Sequence, residues 1–211
     1  HYKIQRESEA AFHISNLHVH QEAKSKFNSH SISLGGKLVR NDLTTTLNAE
    51  GSECLLNGLY LGKNSQHIDT QTTIDHLKPH CSSTEFYKGI LDQQAEAVFN
   101  GKIIVRPNAS KTVARQMNKN LLLSKEAIIN TKPLLEIYNN DVKCNHGATI
   151  GRLDENQLFY LRSRGIDESY SKQLLTYAFA SDLVEQIKIS SVRNKLKDTL
   201  FALLMNSKEA A

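Results

Sequence analysis

Cys144, Asn145 and His146 place a thiol and an imidazole two residues apart. On an extended segment that spacing turns both side chains to one face. Thiolate with imidazole is a donor pair suited to iron, iron–sulfur clusters or zinc. Two donors do not close a coordination sphere, and a small buried cysteine beside a surface histidine gives the same pattern without a metal. The remaining histidines, of nine in all, offer less. His18 and His20 share a strand face about 6.5 Å apart. His76, His80 and Cys81 cluster in sequence, but neither group has a helical i,i+4 pair or a C-x-x-C clamp, so both read as surface or turn histidines.

Other chemistry has no anchor. Gly58-Leu59-Tyr60-Leu61-Gly62-Lys63-Asn64 is only superficially a phosphate loop. It has three residues between its glycines where four are needed, and Asn where a hydroxyl must reach magnesium. There is no G-x-G-x-x-G and no G-x-S-x-G. Asn108-Ala109-Ser110 matches a glycosylation sequon but reads more simply as a turn. A carbohydrate-active enzyme would need clustered carboxylates with Arg or Lys on one exposed face, whereas Asp69 and Asp75 stand isolated in sequence.

The elements that must position Cys144 and His146 are strands. Residues 38–47, 54–61 and 97–105 mix polar alternation with β-branched content. Turn signals fall near Glu22, Gly36, Gly51, Asn64, Pro79, Gln94, Asn108, Lys125 and Asn140, at intervals of 13 to 17 residues. One strand and turn every ~15 residues, two per coil, is the pattern of a solenoid whose coils bury their inward faces on one another. We therefore expect a parallel β-helix over residues 1–153, with Leu43, Leu56, Leu59 and Ile103 inward, rather than a β-sandwich. Asn41, Thr44 to Thr46 and Thr70 to Thr73 suit stacked ladders. The pattern changes at Asp154, where Asp154 and Gln157 form a capping box closed by Gly165. Asp167 starts a second helix with Leu175, Phe179, Leu183 and Ile187 at four-residue spacing. Ser190 or Ser191 caps a third, with Val192, Leu196, Leu200, Leu203 and Leu204 on one side. Residues 154–211 thus read as a C-terminal helical appendage, docked on the solenoid or on another protein, with Leu200 and Leu204 as candidate outward contacts.

Composition narrows the class. The 211 residues carry 26 Lys and Arg against 22 Asp and Glu, and the excess of four lies in residues 1–153, spread singly. A nucleic-acid binder would concentrate it in a stripe with interleaved aromatics. Three cysteines cannot form a disulfide framework and fit a reducing cytosol. No apolar run is long enough for a membrane helix, and the opening HYKIQRES lacks the order of a signal peptide. The chain starts without Met and already in strand-like sequence, so an upstream portion is expected.

Residues 131–166 carry a longer signature: Thr131-Lys132-Pro133-Leu134-Leu135-Glu136-Ile137-Tyr138, then Asp141-Val142-Lys143-Cys144-Asn145-His146-Gly147-Ala148-Thr149-Ile150-Gly151-Arg152, then Gln157 to Ile166. This resembles the C-terminal signature of the SufB/SufD family, the scaffold subunits of the Suf iron–sulfur cluster assembly machinery, and its KCxHGAT element is closer to the D-type subunit. More loosely the resemblance covers the whole chain. It implies a right-handed parallel β-helix, a C-terminal helical domain and an N-terminal helical domain that this sequence lacks. It also implies a cytoplasmic, non-catalytic scaffold pairing with a SufB-type subunit and docking a SufC-type ABC ATPase through its C-terminal helices. A homodimer of the isolated chain stays open, and neither nucleic acid nor membrane is expected as a partner. No cofactor is expected to be tightly bound in the isolated chain. A transient iron–sulfur cluster would form at the scaffold interface, where the family's ligating histidine maps onto His146, with Cys144 as a second candidate ligand.

Overall fold

A computed structural model of the chain describes residues 1–205; positions 206–211 of the expected helical segment lie outside them. The strands are β1 (Tyr2–Gln5), β2 (Phe12–Gln21), β3 (Lys26–Ser33), β4 (Leu38–Leu47), β5 (Glu53–Gly62), β6 (His67–His76), β7 (Ser82–Leu91), β8 (Glu96–Val105), β9 (Val113–Leu122), β10 (Ile128–Ile137) and β11 (Lys143–Gly151). Each of the nine expected turn positions falls between two strands. Odd-numbered strands form one sheet, ordered β1-β3-β5-β7-β9-β11. The even-numbered strands form the other, β10-β8-β6-β4-β2. Neighbouring strands are parallel, so the chain alternates between sheets and climbs one strand per half coil, a parallel β-helix.

Alternation fixes the interior. Leu43, Leu56 and Ile103 belong to one buried cluster with Cys54, Tyr60, Tyr87 and Phe99. Leu59, expected beside Leu56, takes the opposite face of β5, because residues three apart on a strand cannot share a face, and it is not part of that cluster.

One corner repeats in four successive coils. Lys24, Gly51, His80 and Lys111 all have φ between 57° and 72°. Their N–H groups donate to Glu50 O, Pro79 O, Ser110 O and Asp141 O, one coil on in each case. A Cβ at Gly51 would meet only Lys24 Cγ, at 3.5 Å. Gly51→Ala should therefore cost about 1–2 kcal/mol through the left-handed backbone alone, read as a shift of urea midpoint. No change would show that the corner relaxes.

Two compact units make up the chain, one from His1 to Ile150 and one from Gly151 onward. The second holds α1 (Glu155–Ser163), α2 (Glu168–Val184) and α3 (Ser190–Met205). Asp154 Oδ1 accepts from Asn156 N and Gln157 N, Gly165 ends the first turn region at φ 84°, and Asp167 Oδ1 accepts from Tyr170 N. In α3 the buried positions are Leu196, Leu200 and Leu204, so Leu200 and Leu204 are not outward contacts as expected. A stripe at i, i+4 and i+8 rotates away from i+7, which leaves Leu203 exposed together with Phe201. Ile187 is buried beyond the end of α2, while Leu175 and Phe179 are half-buried within it.

Candidate functional site

β11 is the terminal strand of the odd-numbered sheet. Lys143 N donates to Thr112 O, as Val113 N donates to Cys81 O one coil earlier, and Cys144 bonds to the Ala114 backbone. The strand is thereby registered on β9 with Cys144 beside Ala114 and His146 beside Gln116. Cys144 prolongs an interior column running through Phe27, Cys54, Ser83 and Ala114. It is half-buried and packs against the interior cluster. His146, two residues on, points to the same side and is exposed. The pair expected from the C-x-H spacing is thus brought together on the last strand of the sheet.

The donors differ in readiness. Burial pushes the Cys144 thiol above its ordinary range, against a backbone hydrogen bond from Ala114 that pulls it down. Cys144 must lose that proton to ligate a metal. His146 already offers an exposed imidazole. Thiolate and imidazole match iron or an iron–sulfur cluster in type. Among the described residues no group of three or more His, Cys, Asp or Glu could hold a metal ion.

The other histidines and cysteines are dispersed. His18 and His20 are exposed on β2, and their strand neighbours are Thr44 and Thr46. His76 is wholly buried, with Nε2 2.9 Å from Ser83 Oγ, and burial lowers its pKa to about 4 against the opposing effect of Asp75. His80 occupies the left-handed corner, and Cys81 is buried 3.2 Å from Ser52 Oγ. Cys54 is interior, its thiol pushed up to about 12 by burial. Gly58 and Gly62 lie within β5, so the glycine-bounded segment is strand, not a phosphate cradle. Asp69 is not isolated, as the sequence suggested. The Arg40 guanidinium bonds both Asp42 and Asp69, and Arg106 grips Asp75 through two nitrogens at 2.9 Å. These carboxylates are neutralised rungs on the sheet surface and do not make a hydrolytic pair.

Sequence reasoning missed an interior pair of polar groups on the same column as His146: Glu85 and Gln116, in register on β7 and β9 beside Leu56 of β5. Glu85 is 1% exposed and Gln116 2%. Gln116 Nε2 donates to Glu85 Oε2 at 2.5 Å. Burial raises the Glu85 carboxyl to about 7, against the pull of the Thr72 hydroxyl and the Gln116 amide. The one available signal was a carboxylate at the inward phase of β7, between Ser83 and Tyr87.

Comparison with known proteins bears on the whole chain. The family described as SUF system FeS cluster assembly, SufBD core domain, matches residues 1–179. The iron–sulfur cluster assembly protein SufD of Escherichia coli is 44% identical over 168 residues, 80% of this chain and 40% of that protein. An iron–sulfur cluster assembly SufBD family protein of Synechocystis is 39% identical over 197 residues, 93% of this chain and 44% of its own length. A chloroplastic protein of Arabidopsis thaliana, ABCI7, is 34% identical over 205 residues, 97% of this chain and 43% of its own. The chain spans less than half the length of these curated relatives.

Proposed function

This chain belongs to the SufBD family of iron–sulfur cluster assembly proteins and is SufD-like, and from that premise we propose that it is a non-catalytic scaffold subunit on which a cluster is assembled in the cytoplasm. Its partners would be a SufB-type scaffold subunit and a SufC-type ABC ATPase. The observation that carries the reading is the exposed His146 beside half-buried Cys144 on the terminal strand of a parallel sheet. Such a strand presents unpaired N–H and C=O groups to another chain, so the donors and the docking edge coincide. Residues of the partner and the cluster's sulfides would complete the coordination. The exposed rings of Phe159, Tyr160 and Phe201 on α1 and α3 supply apolar surface for the ATPase.

The test is co-expression with the two partners. All three should co-purify, and His146→Ala should leave folding and assembly intact while lowering cluster yield about ten-fold or more, since a ligand is lost rather than a neighbour. Cys144→Ala should match that loss if the thiol shares ligation and fall well short of it if the thiol only packs. Normal cluster assembly by His146→Ala would refute the ligand role.

A further inference from the structure

We propose that Met117 is a modification site: its thioether, lying across Gly147, latches the strand that carries Cys144 and His146, and oxidation of that thioether to the sulfoxide by a hydroperoxide loosens the strand. The consequence for a bound cluster rests on the function proposed above; the latch does not. A Cβ at Gly147 would come 3.1 Å from Met117 Cε and 3.3 Å from Met117 Sδ. The end of this β9 side chain therefore rests on the backbone of β11, one residue beyond His146 and on the opposite face of the strand. Because β11 ends its sheet, only β9 and what β9 carries support it within that sheet.

Among the sulfur-bearing side chains of the described residues, Met117 is the open one. It keeps 36% of its surface exposed, against 4% for Cys54 and 1% for Cys81. Cys144 and Met205 are half-buried. A thioether also needs no deprotonation before it reacts, whereas a cysteine does. Its lone pair attacks the distal peroxide oxygen, and the S–O bond forms as the O–O bond breaks. The sulfur gives up two electrons, and the proton of the transferred oxygen passes to the departing one, which leaves as water or an alcohol. The product replaces an apolar thioether with a polar sulfoxide, whose oxygen requires hydrogen bonds from water. On its other side Met117 neighbours Phe86 of β7, an apolar platform for a thioether and a poor one for a sulfoxide. Hydration of the new oxygen thus draws the side chain off Gly147.

The experiment treats the 211-residue chain, without metal or partners, with hydrogen peroxide. Peptide mass reads the site of oxygen addition, and amide hydrogen exchange reads the hold on β11. Met117 should gain its oxygen before Met205 and before any cysteine. Exchange across Lys143–Gly151 should then rise about five-fold, with β5 and β7 unchanged. Methionine sulfoxide reductases should restore the protection, which excludes a cysteine sulfinate as the cause. Met117→Leu keeps an apolar side chain of similar volume without the sulfur and should show no rise with peroxide. Oxidation elsewhere first, unchanged β11 exchange once Met117 is oxidised, a rise that the reductases leave in place, or the same rise in Met117→Leu would overturn the proposal. The wild-type measurements decide it even if the variant does not fold. Cluster assembly by His146→Ala tests the ligand reading separately: normal assembly there removes that reading and leaves the latch standing.

Discussion

Glu85→Gln is expected to make stability rise with pH between about 4.5 and 6.5, where the wild-type contributions of Glu85 and His76 cancel. Glu85 ordinarily titrates at 4.5 but is raised to about 7 in the fold, so its contribution is full below 4.5 and is lost as pH climbs through 7. His76 moves the other way, from 6.5 down to about 4. Its contribution is full above 6.5 and is lost as pH falls through 4. Each shift corresponds to about 3 kcal/mol, and each slope to about 1.4 kcal/mol per pH unit with opposite sign. A neutral Gln at position 85 removes one slope and exposes the other. At pH 8 the variant should be more stable than wild type by about 3 kcal/mol, and near pH 4.5 the two should agree. Urea midpoints across that range read the effect, and parallel curves for the two proteins would mean that Glu85 is solvated. His76→Gln should expose the opposite slope.

Those two residues mark where sequence reading stops. The solenoid was legible because turn residues recur once per half coil, and each such signal lies at a corner. The inward face was less so. In Ser83-Thr84-Glu85-Phe86-Tyr87, alternation by hydrophobicity would bury Phe86 and expose Glu85. The fold does the reverse, with Lys88 Nζ and Lys119 Nζ 5.4 and 5.9 Å from the half-buried Phe86 ring. Polar residues occur on both phases of these strands, so phase must come from stacking rather than from composition.

The candidate site divides along the same line. Cys144 and His146 share a face by local alternation, which two residues suffice to show. Their alignment with Glu85 and Gln116 depends on register across three strands, and coil length is not constant: 29 residues separate Cys54 from Ser83, but 31 separate Ser83 from Ala114. A periodic reading of the chain therefore drifts out of column within two coils. The outer rung joining Arg40, Asp42 and Asp69 was hidden for the same reason, since Asp69 reaches Arg40 only through strand pairing.

Gly89→Ala should be among the most disruptive single-methyl changes in the solenoid, costing about 3 kcal/mol or more. β5 and β7 exchange large for small in register: Gly58 lies beside Tyr87, and Tyr60 beside Gly89. Both rings are almost wholly buried, each over the strand where the other strand's glycine leaves space. A Cβ at Gly58 would fall 1.9 Å from Tyr87 Cε1, and one at Gly89 would fall 2.2 Å from Tyr60 Cε2. Neither glycine has positive φ, so the backbone would accept alanine and the cost is steric. At Gly89 the new methyl would also lie 2.5 Å from Asn120 Oδ1, which accepts from the Tyr60 hydroxyl. That pushes on a network in which Asn118 Nδ2 donates to the same hydroxyl and Asn120 Nδ2 donates to Asn118 Oδ1 at 2.6 Å. Moving the ring thus adds unsatisfied buried polar groups to the clash, whereas Gly58→Ala, whose nearest contacts are ring carbons of Tyr87, should cost about 1–3 kcal/mol. Shrinking the ring should relieve the strain, so Tyr60→Leu combined with Gly89→Ala should lie about 2 kcal/mol above the sum of the single changes. Strict additivity in chemical denaturation would show that the methyl is accommodated by some movement other than displacement of Tyr60.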